Sequence, residues 1–219
     1  MRPREHFTQQ LEAIHRELRA LGELAAAANA RALDALMRQD LAMAQEIVAA
    51  DDRIDQAHDK LESQAVAMIA TQQPVAGDLR RLMATISIAS ELERIADYAK
   101  SIAKLALQYD DQPWVPVPDE LAQLATEACA MLDSALSAFI QQDVAAARQL
   151  GEADQRVDEL RQRVLAGLID LLRQQPESAA RVVALLFVTQ NLERMADRAT
   201  NIAEQVIYIA SGDVVELNP

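Results

Sequence analysis

Four pairs of acidic residues share one spacing: Asp51 with Asp55, Glu93 with Asp97, Asp154 with Asp158, and Glu193 with Asp197. A separation of four places both side chains on one face of a helix, about 5–6 Å apart at Cβ, where like charges repel by a few tenths of a kcal/mol. A single pair of this kind is ordinary on an acidic helix and simply forms a solvated face. Four pairs at matching positions of two sequence copies carry more. If the helices bearing them are antiparallel neighbours, each copy brings four carboxylates together. Such a cluster is strained unless a cation neutralises it, and oxygen ligands suit hard cations such as Mg²⁺, Mn²⁺, Ca²⁺ or iron.

Three chemistries remain open on these residues alone: a metal-binding protein without catalysis, a carboxylate-bridged metalloenzyme, or a metal-free helical scaffold with solvated acids. Di-iron bundles need Glu-x-x-His on two helices. Glu93-x-x-Ala96 and Glu193-x-x-Ala196 lack that His. The nearest match, Asp55-Gln56-Ala57-His58, has Arg161 in the His place of the second copy. Oxidase chemistry is therefore disfavoured, and His58 reads as a surface residue. Arg53, Arg94, Arg156 and Arg194 recur beside the acids and read as internal ion-pair partners. Arg80, Arg81 and Arg181, at the starts of the third and sixth helices, read as partners for the preceding helix or for another protein. No glycine-rich phosphate loop is present, and three His residues outside the repeated motif assemble no Ser/His/Asp set. Cys129 sits in an apolar run and reads as a small buried group. The sequence proposes no catalytic residue.

The elements that must position these acids are helices. Leu11, Ile14, Leu18, Leu21, Ala25, Ala28 and Ala32 alternate spacings of three and four, as do Ile47, Ala50, Ile54, Ala57, Leu61, Ala65 and Met68. Asp40 is placed to cap the second helix. That helix is expected to stop before Thr71-Gln72-Gln73-Pro74, because a residue preceding Pro avoids α geometry. A third helix is expected from about Val75, with Ile88, Leu92, Ile95, Ala99, Ile102 and Ala106 on one face. Pro113, Pro116 and Pro118 then exclude helix interior, and Trp114 among them reads as a local packing anchor. Beyond, the pattern restarts and ends at Ser211-Gly212, a typical helix stop.

The restart is a duplication. Asp40 and Asp143 are 103 residues apart, as are Asp51-x-Arg53-x-Asp55 and Asp154-x-Arg156-x-Asp158. Leu92-Glu93-Arg94-x-Ala96-Asp97-x-Ala99 recurs 100 residues later as Leu192-Glu193-Arg194-x-Ala196-Asp197-x-Ala199. The expected fold is all-α: two tandem three-helix bundles, residues 1–109 and 119–219, joined by a Pro-rich linker at 110–118. Six long antiparallel helices result.

Composition agrees. Of 219 residues, 51% are hydrophobic, only 3% aromatic, and roughly one in five is Ala, which favours helices over sandwiches and barrels. The net charge of −13 opposes nucleic-acid binding and suits cations or a basic protein partner. A single Cys makes no internal disulfide, and neither a signal peptide nor a spanning segment is read, so a cytoplasmic protein is expected.

Two three-helix halves, each with an acid-x-x-x-Asp pair, together with the segments Leu92 to Ala103 and Leu192 to Ala203, closely resemble the PhoU family of bacterial phosphate-uptake regulators. Asn201 fits that family's Asn-Ile-Ala pattern, where the first copy has Ser101. Ala96 and Ala196 stand where family members often have Gly. The resemblance implies a cytoplasmic, often dimeric negative regulator of the phosphate-starvation response. It implies a link between the phosphate ABC transporter, through its ATPase, and a sensor histidine kinase. It also implies metal ions (iron, Mg, Mn, Zn or Ca) held at Asp51, Asp55, Glu93, Asp97, Asp154, Asp158, Glu193 and Asp197.

Overall fold

The alternating three-and-four spacing closes into six long helices in a computed structural model that describes residues 3–108, 115 and 117–218. They are α1 (Pro3–Arg38), α2 (Leu41–Gln72), α3 (Gly77–Gln108), α4 (Asp119–Gln141), α5 (Val144–Gln174) and α6 (Ala179–Ser211). Among the described residues there is no strand. The fold is the expected one, two tandem three-helix bundles. Trp114 lies outside the described residues, while its neighbour Val115 is buried.

The turns between helices show why the chain breaks where it does. Gln39 and Gln142 each adopt a left-handed conformation with φ 55°. Each is followed by a capping aspartate. Asp40 Oδ1 accepts from the Met43 N–H at 2.9 Å, and Asp143 Oδ1 accepts from the Ala146 N–H at 3.0 Å. Each cap satisfies one of the orphan donors at a helix start. Asp40→Ala or Asp143→Ala is expected to cost about 1 kcal/mol. In a chain of this size that is a fall in Tm of roughly 2–4 °C, measurable by scanning calorimetry.

At the second turn of each half, α2 runs two residues past its expected stop. Gln73 leaves the right-handed region, at φ 46° and ψ 55°, so the helix ends at the residue that Pro74 restricts. Ala76, at φ 48°, delays the start of α3 to Gly77. In the second half Gln175 is extended instead, and Pro176–Ser178 form a 3₁₀ turn leading into α6.

Within each half the three helices pack on one another, and the halves join through α3 against α6 and α1 against α4. Arg198 reaches Glu91 and Tyr98, and Gly212 lies over Arg80, so α3 and α6 run antiparallel along the seam. Both central helices bury the same stripe: Leu92, Ile95, Ala96, Ala99, Ile102 and Ala103 in one, Leu192, Met195, Ala196, Ala199, Ile202 and Ala203 in the other. Six of those twelve places are bulky and six are Ala, small enough to let the helices approach closely; burial of the bulky ones supplies the driving force. The outer helices α2 and α5 flank this centre, and each carries one of the acidic pairs to the groove it forms with α3 or α6.

Candidate functional site

The acidic residues of each half lie on facing helices. Asp51 and Asp55 come from α2, Glu93 and Asp97 from α3; Asp154 and Asp158 come from α5, Glu193 and Asp197 from α6. In both halves the first acid is driven deep. Asp51 is 3% exposed and its counterpart Asp154 is 5% exposed. Both follow from helix periodicity, since Ile47, Asp51 and Ile54 share one buried face of α2, as Leu150, Asp154 and Val157 do in α5. Asp97 and Asp158 stay at the exposed rim, with Asp55, Glu93, Glu193 and Asp197 between.

The second group has the sharper electrostatics. Asp154 forms no hydrogen bond or ion pair with any described residue. Its carboxyl is pushed up from 3.8 to about 6 by burial and by the charges of Asp197, Asp158 and Glu193. Glu193 is also raised, by burial and then Asp197, against the opposing pull of Arg161, whose Nε lies 3.8 Å from Glu193 Oε1. Asp197 is raised by burial and Asp158, opposed by Arg198 and by a hydrogen bond from Asn218. All four carboxylates therefore share one field.

The C-terminal residues close over this group. Asn218 Nδ2 donates to Asp197 Oδ1 at 3.2 Å, and the Leu217 N–H donates to Glu204 Oε1 at 2.8 Å. A β-carbon at Gly151 would lie 3.0 Å from the Leu217 carbonyl oxygen, so glycine there gives the segment room against α5.

The first group is built differently. Lys100 Nζ donates to Asp51 Oδ2 and forms an ion pair with it. Thr200 stands at the equivalent place in the second half and cannot do this. Asp55 is raised by burial and by Asp51, with Lys100 pulling the other way, and Glu93 is raised by burial and Asp97, with His58 and Arg94 opposing. Asp51, Asp52 and Asp55 present carboxylate oxygens within 4.8 Å of one another; among the described residues they are the one acidic trio so placed.

Asp52 was not among the residues expected from spacing, because it breaks the four-residue pattern. The doublet Asp51-Asp52 against Asp154-Gln155 was its only sequence signal. His58 is not a free surface residue: its side chain is 16% exposed, its Nδ1 lies 3.1 Å from Asp59 Oδ1, and its Nε2 is buried without a partner. Of the arginines beside the motifs, Arg156 lies 4.0 Å from Glu127. Arg81 pairs with Asp78 of its own helix at 3.8 Å, not with α2. Cys129 is half-buried, and burial together with Asp133 lifts its thiol to about 11, which keeps it protonated and unreactive.

A family model described as "PhoU domain" matches residues 18–106 and again 121–206, one match on each half. The chain belongs to the PhoU family. A PhoU homologue from Clostridium acetobutylicum, described as a phosphate-specific transport system accessory protein, is 32% identical over 216 residues, covering 98% of this chain and 99% of that one. A similarly described relative from Streptococcus pneumoniae is 30% identical over 215 residues, 98% of this chain and 100% of its own. The crystal structure of PhoU from Pseudomonas aeruginosa superposes with a TM-score of 0.89 at 30% identity, covering 94% of this chain and 100% of that one. Family membership makes this PhoU-family chain a phosphate transport accessory and regulatory protein. Among its described residues no helix is long and apolar enough to cross a membrane.

Proposed function

We propose that this PhoU-family protein is a non-enzymatic, cytoplasmic negative regulator of the phosphate-starvation response whose carboxylate groups hold metal ions. The observation that carries the metal reading is Asp154: a buried carboxylate with no ion-pair partner among the described residues, raised further by the charges of Asp197, Asp158 and Glu193. Leaving such a charge unpaired is costly, and a hard cation bound through oxygen removes the cost. Asp154, Asp158, Glu193 and Asp197 would hold it in the second half. Asp51, Asp55, Glu93 and Asp97 would do so in the first, with Asp52 as an added ligand. The donor set is all oxygen, which favours Mg²⁺, Mn²⁺, Ca²⁺ or iron over soft-metal chemistry.

The regulatory part of the proposal rests on family membership. The protein would act as an adaptor, often as a homodimer, between the phosphate ABC transporter ATPase and a sensor histidine kinase, holding the kinase inactive when phosphate is plentiful. Deleting the gene is expected to derepress phosphate-starvation genes in phosphate-rich medium, read with a transcriptional reporter; unchanged expression would sink the regulator role.

The metal role is tested separately on the purified Glu193→Ala/Asp197→Ala protein. Its cation-dependent rise in Tm should be reduced to that of the first half alone, with helix content by circular dichroism unchanged. Undiminished cation stabilisation would remove the second group from the metal proposal. If the variant unfolds outright, these acids have a core role instead.

A further inference from the structure

At the end of the molecule where α3 begins and α6 finishes, a cavity of about 520 Å³ opens between the two halves. Four guanidinium groups line it: Arg16 and Arg19 from α1, Arg80 and Arg81 from α3. One carboxylate, Glu12, joins them. In a chain of net charge −13 this is a concentration of positive charge that needs a reason.

Internal neutralisation does not supply one. Arg16, Arg19 and Arg80 form no ion pair with any described residue, and Arg81 has only Asp78 at 3.8 Å. Arg80 Nε is buried and has no hydrogen-bond partner. The Arg80 guanidinium lies beside Gly212, where a β-carbon would come within 3.6 Å of its Cζ. Gly212, at φ 83°, ends α6, so the helix's terminal carbonyls offset part of this charge. His15 adds no negative charge: burial and Arg81 lower its pKa, and its buried Nε2 has no partner.

Nor does the fold demand Arg16, Arg19 and Arg80. With the offset of 103 that relates α1 to α4, Arg16 and Arg19 correspond to Asp119 and Ala122. With the offset of 100 that relates α3 to α6, Arg80 corresponds to Ala180, while Arg81 alone has an arginine counterpart, Arg181. The duplicated architecture is maintained without them at the opposite end.

The cavity is far larger than an inorganic oxyanion, and one wall is apolar, formed by Phe139 with Val206 and Ile209. Its volume falls in the range of small-molecule sites, which combine apolar walls with a few charged groups. Arginine forks recognise phosphate bidentately. We propose that this cavity binds a small phosphorylated organic molecule, its phosphate held by Arg80 with Arg16 and Arg19 and its apolar part against Phe139.

The proposal is independent of the metal groups, so it is tested with EDTA present. Isothermal titration of the full chain with AMP and with 1-naphthyl phosphate, at fixed ionic strength, should show saturable binding of at least one. Adenosine should not bind, and inorganic phosphate should bind at least tenfold more weakly. Arg19→Gln/Arg80→Gln should weaken binding tenfold or more, with Arg163→Gln on exposed α5 surface as an unaffected control. If the double variant loses helix content, the exposed Arg19→Gln alone should still weaken binding severalfold. The proposal is overturned by no saturable binding of either phosphomonoester, by equal binding of adenosine or of inorganic phosphate, or by binding indifferent to these arginines. Capture of acidic peptides without binding of either probe would likewise overturn it.

Discussion

Asp154→Asn is expected to make the metal-free protein more stable at pH 7 and the cation-loaded protein less stable. The reversal follows from linkage. In the folded state the Asp154 carboxyl is pushed up to about 6 from an ordinary 3.8. Between those values the folded chain binds more protons than the unfolded chain, so stability falls as pH rises through this window. The contribution is fully present below about pH 3.8 and is lost above about pH 6. Glu193 and Asp197 are shifted the same way, so they add to the same pH dependence. Asn cannot ionise and keeps the shape. At pH 7 in EDTA it should recover on the order of 1–2 kcal/mol after allowing for solvent screening. That corresponds to a Tm rise of roughly 2–8 °C. A saturating divalent cation does the opposite, since it binds the ionised carboxylates and stabilises only the folded state. Calorimetry across this pH range, with EDTA and with Mn²⁺, checks both signs. A variant whose Tm falls equally in both conditions would show that Asp154 serves packing alone.

The helices, the duplication and the spacing of the eight acids were readable because each depends on local rules. Periodic apolar positions, the caps Asp40 and Asp143, and a repeat of about one hundred residues need no knowledge of tertiary contacts. The depth of the acids was less readable. Asp51 and Asp154 share a helix face with isoleucine, leucine and valine, a hint that they are buried, yet spacing alone treated both members of each pair alike. Lys100 carries no signal within its own helix, and only the packing of α3 against α2 sets its ammonium on Asp51. The comparison of Lys100 with Thr200 across the repeat was available as a signal, but it has no meaning until Asp51 is known to lie opposite.

The arginine-lined cavity was beyond reach for the same reason. Arg16 and Arg80 are separated by more than sixty residues, and Phe139 comes from the other half. His15, uninformative on its own helix, meets Phe139 edge-on with ring centroids 5.5 Å apart. The duplication did contain the clue. Positions that differ between copies are released from the demands of the shared fold, so arginines found in one copy only point toward something outside that fold. By this measure the two halves have diverged at three places: the cation beside the buried aspartate, the segment lying over the second group, and the basic cavity.

Lys100→Thr carries the first of these differences to its consequence. In the first half Asp51 is 3% exposed, and the Lys100 ammonium neutralises it from within the chain. The hydrogen bond to Asp51 raises the Lys100 pKa, which holds the ammonium in its charged form. Replacing Lys100 with the residue found at the equivalent position of α6 leaves a buried charge beside Asp52, Asp55 and Glu93. Breaking a buried pair on one side costs roughly 3–5 kcal/mol, and the lower end applies because Lys100 is itself 28% exposed on its side chain. In EDTA the Tm should therefore fall by about 6–12 °C. A divalent cation present at a hundred times its dissociation constant returns about 2.7 kcal/mol, so most of the loss should be recovered in Mn²⁺. The wild-type first half, with its ammonium in place, should respond more weakly to the same ion. Loss of stability without rescue would mean that the first acidic group does not accept a cation, and an unchanged Tm in EDTA would mean that the ammonium does not neutralise Asp51. Full rescue would make Lys100 an internal stand-in for a metal ion, and would make the second half the stronger metal site of the two.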